Sequence, residues 1–442
     1  MTGRETIITQ TKSVFFVYIN KHKNYSPISS VKMIFVLLPS IHIIHIFDKL
    51  KITNSSEKPL PFMLYSLNHY LTEIKGKISD CGEEWNANKK YTNPYEYIYT
   101  NSPKTSVCRY KPISRAYFKM IEILNTFQLP SLESPGPIEM FALAEGPGGF
   151  IEAVSNYRAN PQDKYHGMTI EDPTDTEVPG WKKTANFLRQ HPNVFLEKGA
   201  DETGNILNME NFKHVTAKYK NKCELVTGDG GFDFSSDFNS QEINITRLLF
   251  GQIAYAVCIQ KKGGSFVLKC FDCFYKATAE LIYLLSTMYE KVYVVKPNTS
   301  RYANSERYLV CINFLHADSK VYAPIFEELM VNICNGDTGF IRSFFNGVKI
   351  PMFYYNKLEE CNSIIGQIQI DNIYTTLALI ENQYKADKIN FYMKTNIQKC
   401  VKWCIKNKVD YNAYVESGEK NIFKPLAVAN EKMHSFQLSD YE

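Results

Sequence analysis

Between residues 60 and 78, apolar side chains fall at steps of four and three: Leu60, Leu64, Leu67, Leu71, Ile74 and Ile78. That spacing predicts one apolar helix face over about five turns, suited to packing on a following domain. A second helical pattern covers 114–127. The period then changes. Apolar runs of strand length stand at 138–144, 165–170, 194–196, 223–227, 264–269, 291–295 and 307–313, with helical patterns at 149–158, 182–190, 207–219, 240–261 and 274–289 between them. Strands alternating with helices predict an α/β fold, a mostly parallel seven-stranded sheet covered on both faces. In such sheets ligands lie at the carboxyl ends of the strands. Beyond 314 the pattern is helical again, at 324–335, 374–386 and 390–408. Residues 81–110 read as loop, 49–59 as a polar linker and the stretch from about 412 as loose chain. The expected division is an N-terminal extension of unassigned role (1–58), an α/β domain (59–318) and a mainly helical C-terminal region (319–442).

Composition narrows this little. With 442 residues, 28 Phe and 29 Tyr the chain can fill a large core, and a net charge of +4 confines any nucleic-acid surface to a local patch. Eleven scattered cysteines fit a reducing compartment better than a disulfide framework. The N-terminus lacks the order of a signal peptide. The most apolar run, 33–47, is too short to span a bilayer and contains Pro39, His42 and His45, so it reads as core. The lysines of 390–408 (Lys394, Lys399, Lys402, Lys406, Lys408) read as a solvated face, with RNA contact the alternative. Cys270 and Cys273 form a C-x-x-C with no second pair at metal spacing and read as packing residues. The nine histidines show no metal spacing.

The candidate chemistry starts where the first strand ends. Gly146-Pro-Gly-Gly149 joins a buried strand to a helix, a tight turn that lets a ligand approach the backbone. It is neither the dinucleotide fingerprint nor a P-loop. Four charged residues are placed to converge near the same edge. Lys119 precedes the first strand, Asp229 follows the fourth in Thr227-Gly-Asp-Gly-Gly-Phe232, Lys269 ends the fifth, and Glu306 precedes the last. Each alone has a structural explanation, as surface lysine, helix cap or salt-bridge partner; together they suggest a site.

These segments resemble the FtsJ/RrmJ superfamily of RNA 2′-O-ribose methyltransferases, and within it the Adrift-type mRNA cap enzymes. The resemblance rests on Glu145-Gly-Pro-Gly-Gly-Phe150, Asp229-Gly-Gly-Phe232, Lys269-Cys-Phe-Asp272 and Lys296-Pro-Asn-Thr-Ser-Arg-Tyr-Ala-Asn-Ser-Glu-Arg-Tyr308, with Asn93-Pro-Tyr-Glu96 and Arg115 to Met120 upstream. It covers roughly 60–315 and implies a Rossmann-like methyltransferase fold with S-adenosylmethionine as cofactor. The family's Lys-Asp-Lys-Glu tetrad falls on Lys119, Asp229, Lys269 and Glu306. A ribose hydroxyl is a weak nucleophile until its proton is taken, and a lysine takes it only when neutral, against an ordinary pKa of about 10.4. The implied roles are Lys269 as base, Lys119 as neighbouring cation, Glu306 as orienting group and Asp229 as the residue positioning Lys269 and the donor. Most of the gain is positioning of oxygen against the methyl carbon.

For the cofactor the resemblance implies Glu145, Gly146, Pro147, Gly148, Gly149 and Phe150, with Asp229, Asp201 near the adenine and Ser114 where relatives have asparagine. Glu171 and Asp172 are open alternatives for an acid after the second strand. Glu145, where relatives carry a small residue, is left between pairing with the donor's amino group and facing solvent. For capped RNA it implies Lys89, Asn239, Ser240, Gln241 and Asn304; Lys89 replaces an arginine and loses its bidentate fork. Other capping or transcription proteins are open as partners, no membrane is implied, and an intracellular site, nuclear or cytoplasmic, is expected. Two alternatives stay open: methylation of ribosomal or transfer RNA, and an RNA-binding subunit with little catalysis of its own.

Overall fold

The structure, a computed structural model, describes residues 33–41, 46–100, 105–171, 180–231, 239–335, 339–382 and 385–412. His42, His45, Asp172, Phe232 and the stretch beyond 412 lie outside them. The strands are β1 (Ile34–Leu37), β2 (Leu50–Ser55), β3 (Glu139–Leu143), β4 (Lys164–Met168), β5 (Val194–Leu196), β6 (Cys223–Gly228), β7 (Gln260–Cys270), β8 (Tyr289–Lys296), β9 (Arg307–Phe314) and β10 (Phe340–Phe345). The α-helices are α1 (Tyr65–Thr92), α2 (Ala116–Phe127), α3 (Gly149–Arg158), α4 (Ala185–Gln190), α5 (Met209–Lys218), α6 (Gln241–Ile259), α7 (Lys276–Met288), α8 (Ala323–Cys334), α9 (Met352–Glu381) and α10 (Lys385–Lys406).

All seven expected strands are present, and β1 adds an eighth at the edge, in the order β1-β8-β9-β7-β6-β3-β4-β5. The pairings from β5 to β7 are parallel; β9 runs antiparallel to β7 and β8, and β1 antiparallel to β8. The chain builds outward through β3, β4 and β5, then crosses back to start β6 beside β3. The topological switch point therefore lies between the carboxyl ends of β3 and β6.

Two-residue periodicity divides the core. Phe141, Leu143, Val226 and Leu268 face one layer, and Met140, Ala142, Leu225 and Val267 the other. The first layer holds α5 to α9 and the second α2, α3 and α10. Both faces are covered, so the central strands read as continuous apolar runs.

Two expectations need correction. Residues 81–110 are not all loop: α1 continues to Thr92 through a non-helical Gly82 (φ 47°) and buries Trp85, Asn88 and Thr92. The break in periodicity was the kink, not the helix end. Residues 49–59 are not a simple linker, since β2 pairs with β10 in a separate two-stranded sheet. The apolar run near 33–47 packs as core, as expected: it supplies β1 and buries Met33, Val36, Leu38, Ile41 and Ile46, and no helix among the described residues is long and apolar enough to cross a membrane.

The C-terminal helices are built into the same core. α9 lies against α1, where a Cβ on Gly366 would meet Leu67 and Leu71 at 3.2 and 3.3 Å. α10 buries Ile397, Cys400, Val401, Trp403 and Cys404, leaves Lys394 and Lys406 exposed, with Lys408 exposed just beyond its end, and uses Asn396 Nδ2 to bond the carbonyls of Tyr91 and Asn93.

Candidate active site

The carboxyl ends of β3, β6 and β7 carry Ala144 to Gly146, Asp229 to Gly231 and Lys269. The glycine turn between β3 and α3 is shaped by its protein neighbours. A Cβ on Gly146 would sit 2.5 Å from the Gly180 carbonyl oxygen, and one on Gly149 would sit 2.3 Å from Ser114 Oγ and 3.1 Å from Ala116 Cβ. Gly148 adopts φ 102°, which L side chains avoid. Ser114, expected at the cofactor, thus packs against the turn, where its Oγ accepts from the Ala116 amide at 3.3 Å.

Glu145 does not face solvent. It is buried, and one carboxylate oxygen accepts from the Phe150 and Ile151 amides while the other accepts from Thr227 Oγ1 at 3.4 Å. It therefore satisfies amides at the start of α3. Burial, and then the nearby Asp229 carboxylate, push its pKa well above the usual range.

The four charged residues are joined in one chain of contacts. Lys119 Nζ, on α2, meets Glu306 Oε2 at 2.8 Å and Tyr308 Oη at 3.4 Å. Tyr308 donates to Asp229 Oδ1 at 3.0 Å. Lys269 Nζ donates to the Asp229 carbonyl at 2.6 Å and lies 3.3 Å from Asp229 Oδ1. Each of the four side chains is only 11–14% exposed, so their charges act with little solvent screening. Burial alone would raise the Glu306 pKa, but Lys119, Lys269 and Lys296 outweigh it and hold the carboxyl down at about 2. Its second oxygen, Oε1, is buried and has no hydrogen-bond partner among the described residues.

Tyr308 was missed as a connector, although it closes the quoted Lys296–Tyr308 motif. Lys296 was missed too. Its buried Nζ lies within 3.2 Å of five oxygens: Ser300 Oγ, the carbonyls of Arg301, Asn304 and Glu306, and Asn304 Oδ1. The 297–306 loop is bracketed from other elements as well. Glu122, one turn after Lys119 on α2, accepts from Asn298 Nδ2 at 2.7 Å and from the Thr299 amide at 3.3 Å. Glu96 receives two bonds from Arg301, at 3.0 and 2.7 Å. Gln241 accepts from Ser305 Oγ at 2.8 Å, and Gln369 Nε2 donates to the Ala303 carbonyl at 2.9 Å. The fully buried Arg307 guanidinium reaches Asp272 Oδ1 at 2.9 Å and Asn362 Oδ1 at 2.7 Å.

The remaining expected residues are dispersed around this centre. Lys89 is half-buried, donates to Asn86 Oδ1, and has its pKa lowered by burial and then by Arg301. Asn304 Oδ1 is engaged by Lys296, Ser240 Oγ accepts from Lys58 Nζ at 3.0 Å, and Asn239 is exposed. Asp201 follows β5 on the surface, where Oδ1 accepts from Thr203 and from Asn211 Nδ2 at 2.7 Å. Glu171 pairs with Lys198 at 3.0 Å. Cys270 and Cys273 are free thiols packed in the core.

The chain is 25% identical over 332 residues to the cap-specific mRNA (nucleoside-2′-O-)-methyltransferase 2 of Drosophila melanogaster, covering 72% of this chain and 46% of that protein. It is 28% identical over 325 residues to the protein of that name from Danio rerio, covering 72% and 43%. Against the cap-specific mRNA (nucleoside-2′-O-)-methyltransferase 1 of Trypanosoma brucei brucei it is 34% identical over 196 residues, 43% of this chain and 52% of that one. The chain thus spans about half the length, or less, of these curated relatives. The family model of the FtsJ-like methyltransferases matches residues 112–314, the segment that carries Lys119, Asp229, Lys269 and Glu306.

Proposed function

We propose that this chain methylates a ribose 2′-oxygen of RNA, in the first transcribed nucleotides of capped mRNA, using S-adenosylmethionine. The observation that carries the reading is the unbroken contact chain Glu306–Lys119–Tyr308–Asp229–Lys269 at the carboxyl end of the sheet. The cap specificity is supported by the relatives, each a cap-specific mRNA (nucleoside-2′-O-)-methyltransferase.

The residues at the switch point fit such a donor. Two carboxylates, Glu145 and Asp229, stand close enough that one raises the other's pKa, at the start of a turn that its glycines keep compact against Gly180, Trp181 and Ser114. A cationic ligand complements that pair. Glu145, Asp229 and the 146–150 turn would hold it, with Asp201 beyond β5. When bound, S-adenosylmethionine supplies an electrophilic methyl group. Lys269, in its neutral form, takes the proton from the ribose 2′-hydroxyl, while Asp229 fixes its Nζ from the backbone and the side chain. Lys119 stabilises the developing negative charge on the oxygen and is itself held by Glu306. Tyr308 Oη, between Lys119 Nζ and Asp229 Oδ1, links the two halves of the network.

The test is labelled methyl transfer to short RNAs, capped and uncapped, with Lys269→Ala alongside. The expected result is label on the 2′-oxygen of capped RNA only, lost in the variant. Equal label on both RNAs would move the substrate to ribosomal or transfer RNA. No label on either, with donor binding intact, would leave a binding subunit.

A further inference from the structure

A second feature, away from the charged network, has the chemistry of a nucleic-acid contact. Between the β2–β10 sheet, the segment before α1 and the start of α7 lies a cleft of about 400 Å³. That is within the roughly 300–1,000 Å³ range of ligand clefts. Its walls include Leu60, Phe62, Tyr65, Tyr275, Lys276 and Arg342. Leu60, Phe62 and Tyr65 are 73%, 43% and 59% exposed. Each cation has a carboxylate nearby, and Arg342 also donates to Ser55 Oγ at 3.4 Å. Lys276 lies 3.6 Å from Glu280, and Arg342 lies 3.6 Å from the largely exposed Glu57 carboxylate and donates to the Glu57 carbonyl at 3.0 Å. Exposed aromatic rings beside two cations form the combination that single-stranded nucleic acid uses, rings for bases and cations for phosphates.

The cleft is tied to the charged network by a short series of bonds. Ser305, next to Glu306, bonds Gln241; its neighbour Ser240 receives Lys58 Nζ; and Lys58 leads into Pro59 and Leu60 on the cleft wall. Glu242 holds the amides of Phe274 and Tyr275 at 2.9 Å each, and the Phe274 carbonyl accepts from the Phe62 amide at 2.7 Å. Both walls of the cleft are therefore in fixed register with the first turn of α6, which touches the loop carrying Glu306. Nothing in the proposed chemistry at Lys269 uses these aromatics.

We infer that this cleft binds a nucleotide of the same RNA strand that presents its ribose at Lys269, with the base against Tyr65 and Tyr275 and the phosphate between Lys276 and Arg342. The inference rests on the RNA reading given above. Strand length then becomes the discriminating variable, because a short RNA reaches Lys269 without reaching the cleft.

The experiment measures fluorescence anisotropy of the full chain with short and long single-stranded RNAs of shared 5′ sequence. Wild type is compared with Tyr65→Ala and with the double variant Lys276→Gln/Arg342→Gln. Wild type is expected to bind the long RNA more tightly than the short, and each variant to lose about tenfold on the long RNA with no change on the short. Because Tyr65 is exposed, thermal unfolding of Tyr65→Ala should match wild type, and that of the double variant should fall by no more than the Arg342 bonds to Ser55 and Glu57 contribute. Equal affinity of wild type for both lengths, or variants that bind the long RNA as wild type does, would overturn the inference and leave the cleft to a protein or small-molecule ligand. Methyl transfer to the short RNA, followed in parallel, separates the two readings. Length-dependent binding without transfer keeps the cleft and removes the enzyme, and transfer without length dependence does the reverse.

Discussion

Two loops at the same end of one sheet are built in opposite ways. The 146–149 turn is made by what is missing: side chains at Gly146 and Gly149 would collide with Gly180 and Ser114. The 297–306 loop is made by what is present, with Glu96, Glu122, Gln241, Lys296 and Gln369 each bonding a different part of it. The first is a steric device and tolerates no growth. The second is a polar device and tolerates no deletion. Between them the charged network runs from Glu306 to Lys269, and both loops serve to hold it still.

The largest effect should come from the network itself. Lys269→Ala is expected to lower methyl transfer about 10²–10⁴-fold, the range for loss of a general base, with donor binding retained. A rate near wild type would mean that both loops hold something other than a base. Next is the polar device. Lys296→Met leaves the carbonyls of Arg301, Asn304 and Glu306 without their shared donor, and a buried polar set broken from one side costs about 3–5 kcal/mol. Chemical denaturation reads the stability. Turnover should fall further than donor affinity, because Glu306 loses its anchor.

The pH dependence has a defined sign. Glu306 titrates at about 2 in the folded chain against an ordinary 4.5, so its contribution is fully present above about 4.5 and is lost as pH falls towards about 2. The difference corresponds to about 3 kcal/mol. Wild type minus Glu306→Gln, followed by denaturation across that window, should shrink as the pH drops; a difference that stays constant would mean that the carboxylate is not held by the lysines. The steric device comes next. Gly149→Ala should cost about 1–3 kcal/mol, as overpacking does. Ser114→Gly should recover part of that loss, since Ser114 Oγ is the atom met first.

The same contrast explains what could be read from the sequence. Strands and glycine turns are local: five or so apolar residues between breakers name β3, and Gly146-Pro-Gly-Gly149 names its turn. Asp229, Lys269 and Glu306 were legible because each ends or adjoins such a strand, whereas Lys119 lies within α2, well ahead of β3. The brackets of the 297–306 loop were not, since Glu96 stands some two hundred positions upstream and Gln369 more than sixty downstream. Nothing in the spacing announces that Lys296 points inward rather than into solvent. β2 was hidden because its partner β10 lies in a region that read as mainly helical. The second half of α1 was hidden by Gly82, whose φ of 47° resets the apolar phase.

Gln241 gives the smallest effect and the finest discrimination. It was expected to touch RNA, yet its Oε1 accepts from Ser305 Oγ at 2.8 Å, which makes it one of the brackets. A single neutral hydrogen bond of this kind contributes about 1 kcal/mol. If bracketing is all that Gln241 does, Gln241→Ala and Ser305→Ala should cost the same, and the double variant should cost no more than either alone. If Gln241 also reaches RNA, its substitution should raise KM for RNA while Ser305→Ala leaves KM unchanged. A thermodynamic cycle on stability and a second on KM, run on the same four proteins, separate these. Coupling in stability alone makes the first turn of α6 scaffold. An RNA effect confined to Gln241 makes it the place where the polar loop and the substrate meet.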